Sequence, residues 1–158
     1  MKKLFALAIL STVSLAKPCF GVDWIRDRIY TSSSYGWLGV DYSLGYHYTD
    51  SVKASVGPVI KPVLSAEALA ELGLMAKLHY HHKFESTDIT PYITFGVGGA
   101  IKLSAQDQNQ DQEKFLSYQI GAGINLPLSS RTSIFAGYKG QKLHKFSHGV
   151  ELGMNFNL

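Results

Sequence analysis

Cysteine is almost absent: Cys19 is the only one in 158 residues. No intramolecular disulfide can form, and no cysteine-based zinc cluster can be assembled. Also absent is any apolar run of the ~20 residues that a membrane-spanning helix needs; the stretch from Leu4 to Leu15 is too short. Mean hydropathy is +0.01, far below a helical membrane protein but equal to what strands of alternating apolar and polar residues average to. An excess of charge is missing as well. Lysine and arginine number 15 against 12 aspartates and glutamates, yet Lys2, Lys3 and Lys17 account for the whole difference. Without the first 21 residues the chain is neutral, which removes the compositional support for nucleic-acid binding.

What is present begins with a basic-then-apolar N-terminus. Lys2 and Lys3 precede the apolar stretch, and small residues follow it, so residues 1–21 read as a secretory signal peptide. Cleavage is expected after Ala16, with Ser14 and Ala16 as the small residues, or after Gly21, with Cys19 and Gly21 in those places. The segment Ala16-Lys17-Pro18-Cys19 lacks the apolar and small residues that precede a lipid-modified cysteine. The remainder, residues 22–158, has the length of one domain.

The strongest pattern is a period of two held to the last residue. Phe146, His148, Val150, Leu152, Met154, Phe156 and Leu158 alternate with Ser147, Gly149, Glu151, Gly153, Asn155 and Asn157. A terminal strand this regular needs an apolar medium on one face and a polar one on the other. Four more segments repeat it. Leu38, Val40, Tyr42, Leu44, Tyr46 and Tyr48 oppose Trp37, Gly39, Asp41, Ser43, Gly45 and His47. Leu72, Leu74, Ala76, Leu78, Tyr80 and Phe84 oppose Gly73, Met75, Lys77, His79, His81 and Lys83. Ile93 to Leu103 and Leu116 to Leu126 behave likewise, with glycines Gly96, Gly98, Gly121 and Gly123 on the polar face. Each has the length of a tilted bilayer-crossing strand, ~9–11 residues. Two weaker strands lie at 51–62 and 132–141. In the first, Pro58 and Pro62 each remove a ladder hydrogen bond and predict a bulge or a loop excursion.

Short polar turns at 49–51, 85–88 and 129–131 alternate with the longer loop 104–113, which predicts short periplasmic turns, longer outer loops and a periplasmic C-terminus. An even strand number then requires an eighth strand between Val22 and Ser32, where a short amphipathic helix starting at Asp23 fits equally well. Residues 65–78 are rich in helix formers and compete with the strand reading there. The expected fold is therefore all-β: an antiparallel, up-and-down, eight-stranded transmembrane β-barrel.

The segments Thr90-Pro91-Tyr92-Ile93-Thr94-Phe95-Gly96-Val97-Gly98-Gly99-Ala100, Tyr118-Gln119-Ile120-Gly121-Ala122-Gly123-Ile124-Asn125 and Ser147 through Phe156 resemble the small outer-membrane barrels of the opacity and surface-antigen type, related to the OmpA-like transmembrane domain and porin-like in architecture. The resemblance implies a non-enzymatic surface protein of the bacterial outer membrane with an envelope role and adhesion through outer loops. It implies as partners the lipid bilayer and lipopolysaccharide, the barrel-assembly machinery and host surface or matrix proteins. Members usually end in an aromatic residue that this machinery reads; here Leu158 is last and Phe156 stands two before it.

Candidate chemistry is sparse, and no catalytic, cofactor or metal residue is assigned. His79 and His81 share a strand face about 7 Å apart while His82 points away, so together with His47 they do not converge on one ion. Ser147, His144, His148 and Glu151 suggest the Ser-His-acid set of lipid A deacylases, which some barrels of this size resemble. Parity puts His148 on the lipid side and Ser147 and Glu151 on the lumen side, and the His-x-Ser pair of those enzymes has no match. Asp41, Glu71, Lys77, Lys102, Lys139 and Glu151 all face inward, where they form a buried network or, alternatively, line a narrow pore. The loop 104–113, with Asp107, Asp111, Glu113 and four glutamines, is the one sizeable recognition surface.

Overall fold

The computed structural model describes residues 28–65, 68–103 and 114–158. Eight strands follow one another: β1 Ile29–Gly36, β2 Gly39–His47, β3 Val52–Ser65, β4 Ala68–His81, β5 Thr90–Leu103, β6 Lys114–Pro127, β7 Thr132–Lys142 and β8 Phe146–Asn157. Each pairs antiparallel with its neighbours in sequence, and β1 pairs with β8 to close the barrel. Closure removes the sheet edges that would otherwise expose unpaired backbone groups to lipid.

The five strongly alternating segments all form strands in the expected positions. Their apolar set faces outward: Leu44, Leu74, Leu78, Phe95, Val97, Ile120, Ile124, Val150 and Leu152 are exposed. The opposite set, including Asp41, Lys77, Thr94, Ser117, Gln119 and Glu151, is buried inside. An apolar exterior around a polar interior is the inverse of a water-soluble barrel.

Three expectations need correction, and one competition within the sequence is resolved in favour of strand. The first strand begins at Ile29 rather than spanning 22–32, and it continues through Ser33, Ser34 and Tyr35; residues 22–27, with the alternative helix at Asp23 and the signal peptide, lie outside the described residues. Where helix formers compete within 65–78, Ala68–His81 is strand, because a row of ladder bonds to both β3 and β5 outweighs single-residue propensity. Trp37 and Leu38 exchange places: Trp37 is 88% exposed and Leu38 only 3%. They are the two central residues of the β1–β2 turn between the paired Gly36 and Gly39, so strand parity does not govern them. Gly39 holds φ at +109°, a left-handed conformation open to glycine. Finally, β4 stops at His81, so Lys83 lies in the following turn instead of the lumen.

The prolines disturb the sheet where expected. The β3–β4 register shifts between Pro62 and Ser65. Between β2 and β3, pairing passes from Asp41↔Val59 to Leu44↔Val56, leaving Tyr42 and Ser43 outside the ladder opposite Pro58 and Gly57. Inside the barrel, aromatic side chains lie over glycines of neighbouring strands and of strands one further along. A Cβ at Gly137 or Gly123 would collide with the Tyr92 ring, so these glycines make room for a large side chain in a narrow lumen.

Candidate functional site

The lumen is the place where the fold concentrates polar chemistry. Alternation along β2, β4, β7 and β8 points Asp41, Lys77, Lys139 and Glu151 to its centre, and all four are buried. Lys77 donates to Asp41 Oδ1. Lys139 Nζ lies 3.6 Å from Asp41 Oδ2 and 2.8 Å from Glu151 Oε2. Glu151 also accepts from Ser34 Oγ at 3.2 Å and from Tyr92 Oη at 3.4 Å. Two cations and two carboxylates thus neutralise one another, which offsets the large cost of taking each out of water. The inward charges therefore form a paired girdle across the lumen.

On the side of the girdle away from the termini the interior turns apolar. Val59, Met75, Ala100 and Leu143 pack as one buried cluster, Met75 being fully inaccessible. Leu38, in the β1–β2 turn, is also buried at this end, and its carbonyl accepts from Gln141 Nε2 at 3.4 Å. Ser117 Oγ donates to the Leu143 carbonyl at 3.3 Å. Beyond this plug, Lys61 Nζ lies 3.8 Å from Glu71 Oε2 and donates to Ser147 Oγ at 2.7 Å.

Toward the termini the interior is polar. His79 hydrogen-bonds Ser55 Oγ at 2.9 Å and Thr94 Oγ1 at 2.8 Å through its two ring nitrogens. His47 Nε2 bonds Asn157 Oδ1 at 3.2 Å, and Asn155 Nδ2 donates to Asn125 Oδ1 at 3.1 Å. A cavity of about 40 Å³ between Tyr30, Lys53, His81 and Glu151 has room for roughly two or three waters. Outside it, a vestibule of about 650 Å³ opens between Arg28, Lys53, Lys83, Asn125 and Asn157.

The sequence-derived candidates are dispersed. His79 is committed to Ser55 and Thr94, and His81 stacks on Tyr92 with ring centroids 5.6 Å apart. His82 packs on Phe84 in the turn. Among the described residues no three histidine, aspartate, glutamate or cysteine side chains are grouped as metal ligands. Ser147 faces a lysine ammonium, a donor that cannot accept its proton while charged. His148 points outward and bonds Tyr138, His144 packs at a tilt against Phe115 with centroids 4.4 Å apart, and Glu151 belongs to the girdle. The Lys61 contact to Ser147 and the burial of Leu38 and Leu143 are not legible in the sequence, because they involve turns or non-adjacent strands. Loop 104–113 lies outside the described residues.

Against known proteins, residues 26–143 match the model of a family described as surface antigen. No curated protein matches the chain. Among solved structures, the N-terminal β-barrel domain of Pseudomonas aeruginosa OprF aligns with a TM-score of 0.61 at 21% identity, covering 83% of this chain and 96% of that one. Neisserial surface protein A aligns with a TM-score of 0.58 at 13% identity, covering 82% and 93%. A de novo designed transmembrane β-barrel aligns at 0.50 with 16% identity, covering 82% and 92%. At these identities the structural likeness is one of fold.

Proposed function

Since the chain belongs to the surface antigen family, we propose that it is a non-enzymatic surface protein of the bacterial outer membrane whose main role is structural, strengthening the envelope as a rigid, closed barrel. The observation that supports this most is the filled lumen: a neutral charge girdle backed by the Met75 plug leaves a 40 Å³ cavity instead of a conduit. The hydrogen-bond partner of Ser147 among the described residues is the Lys61 ammonium, a donor, which weighs against a hydrolase. In this reading the end carrying Ile29 and Asn157 faces the periplasm, the bilayer and lipopolysaccharide cover the apolar wall, and the barrel-assembly machinery reads the terminal strand.

A second reading, adhesion to host surface or matrix proteins, depends on a single loop. At the outer end β1–β2 and β7–β8 are joined by two and three residues, and β3–β4 by residues 66 and 67. Only 104–113 is long enough to reach a partner, and its acidic, glutamine-rich composition suits a basic one. Both readings are tested in a deletion strain scored for sensitivity to detergent and chelator. A barrel lacking residues 106–112 is expected to restore resistance fully. Failure to restore it, with the barrel folded and present in the outer membrane, would overturn the structural role. Loss of host-protein binding in the same strain would support adhesion.

A further inference from the structure

Within the mostly apolar outward wall, one place joins two polar side chains in a hydrogen bond. Tyr138 on β7 and His148 on β8 face the membrane side by side and hydrogen-bond through Tyr138 Oη and His148 Nδ1. They border a groove of about 640 Å³ whose floor is Gly140 and Ala122, with walls of Phe95, Ile120 and Phe146. The hollow exists because β7 carries glycine here. A Cβ at Gly140 would stand 2.9 Å from Phe146 Cζ, so any side chain at that position would push into the groove.

The groove descends into the membrane. His148, Gly140, Ile120, Phe95 and Leu78 lie on one ladder row across β8, β7, β6, β5 and β4. The row starts near the outer end of β8 and reaches β4 close to its periplasmic end. Four strand spacings of ~4.8 Å at a tilt of ~45° lower it by about 13 Å, close to half the hydrocarbon thickness. At its upper end Lys142, two residues above Gly140 on the same face, places its ammonium 6.0 Å from the Tyr118 ring centroid. Lys145 follows in the β7–β8 turn, exposed. Neither lysine forms an ion pair among the described residues, and the described carboxylates nearest the outer end, Glu71 and Glu151, are engaged inside the barrel.

We propose that this groove is a lipid-binding site, which takes one acyl chain of a phosphorylated glycolipid of the outer leaflet while Lys142 and Lys145 hold its phosphate. Three features converge on that occupant: an apolar channel of single-leaflet depth, exposed lysines on the strand end and turn next to its wall residue Phe146, and a polar pair partway in. His148 Nε2 makes no hydrogen bond among the described residues, so it can meet an ester or hydroxyl of the chain. Neutral phospholipid would satisfy the channel but not the lysines. The proposal rests on the membrane orientation given above.

Native mass spectrometry of the purified, folded barrel, titrated with diphosphoryl lipid A, dephosphorylated lipid A or phosphatidylglycerol, tests it. One tightly retained diphosphoryl lipid A per barrel is expected, with both other lipids weaker. Lys142→Gln should reduce retention about fivefold, as loss of one cation beside an anionic headgroup does. Gly140→Leu, which fills the hollow, should abolish selective retention while the barrel remains heat-modifiable. Equal retention of phosphatidylglycerol, or unchanged binding in Gly140→Leu, would overturn the lipid site and leave the envelope role standing, because that role is scored separately in cells. Should Gly140→Leu fail to fold, Gly140→Ala together with Lys142→Gln decides the matter by the same ratio.

Discussion

At the end of the lumen away from the termini Val59, Met75, Ala100 and Leu143 pack as an apolar plug, whereas at the end beside the termini His47, His79, Asn125 and Asn155 are held by side-chain hydrogen bonds beside an open vestibule. The charge girdle of Asp41, Lys77, Lys139 and Glu151 divides the two. The difference shows that one strand pattern can serve two purposes. Inward positions need only differ from lipid; whether they are then filled by packing or by polar side chains and water decides whether that half is sealed or wet. In the dry half a polar atom without a protein partner, such as Gln141 Oε1, keeps its full desolvation cost, while in the wet half water can supply what is missing.

Removing the divider should have the largest effect. Asp41→Leu leaves Lys77 and Lys139 short of a carboxylate in the interior and should cost about 3–5 kcal/mol in urea unfolding from micelles; adding Lys77→Met should recover part of it. Breaking the dry half comes next. Met75→Ala should cost about 3 kcal/mol through the cavity it leaves, and it should give measurable conductance in planar bilayers where the wild type gives none. The outer wall, common to both halves, provides a reference: Val97→Arg near mid-bilayer should cost about 2–4 kcal/mol. The smallest effects sharpen the contrast most. Ser117→Ala in the dry half should cost about 1 kcal/mol, and Ser133→Ala beside the vestibule less than about 0.5 kcal/mol, since water can replace the hydroxyl there. Equal costs at the two serines would show that both halves are equally wet.

The barrel is legible because lipid and lumen impose opposite demands on successive residues, and β2, β4, β5, β6 and β8 carry them over most of their length. β1 was harder to place: Ser32, Ser33 and Ser34 fall on both faces and blur the alternation. Parity misplaces Trp37 and Leu38, because it ends where a turn begins. Parity also put every girdle residue inside. Their partners could not be read, because Asp41 and Lys77 lie on strands that are not adjacent, and their approach depends on the register of the strand between them. The groove at Gly140 was hidden for a related reason: a glycine on the lipid face reads as a weak strand residue until the neighbouring walls are known.

The pairing of β1 with β8 also governs assembly. Every other pair joins strands consecutive in the chain, so seven hairpins can form locally, while the seam from Tyr30↔Asn157 to Gly36↔Glu151 brings together the two ends of the described chain. Contacts of that sequence separation form last and carry the greatest loop-closure cost. The strand that must complete the seam is the serine-rich one, whose outward face offers Thr31 and Ser33 where other strands offer leucine or phenylalanine. The barrel therefore has a defined point of latest closing and earliest opening, and amide exchange in the folded protein should be fastest along β1.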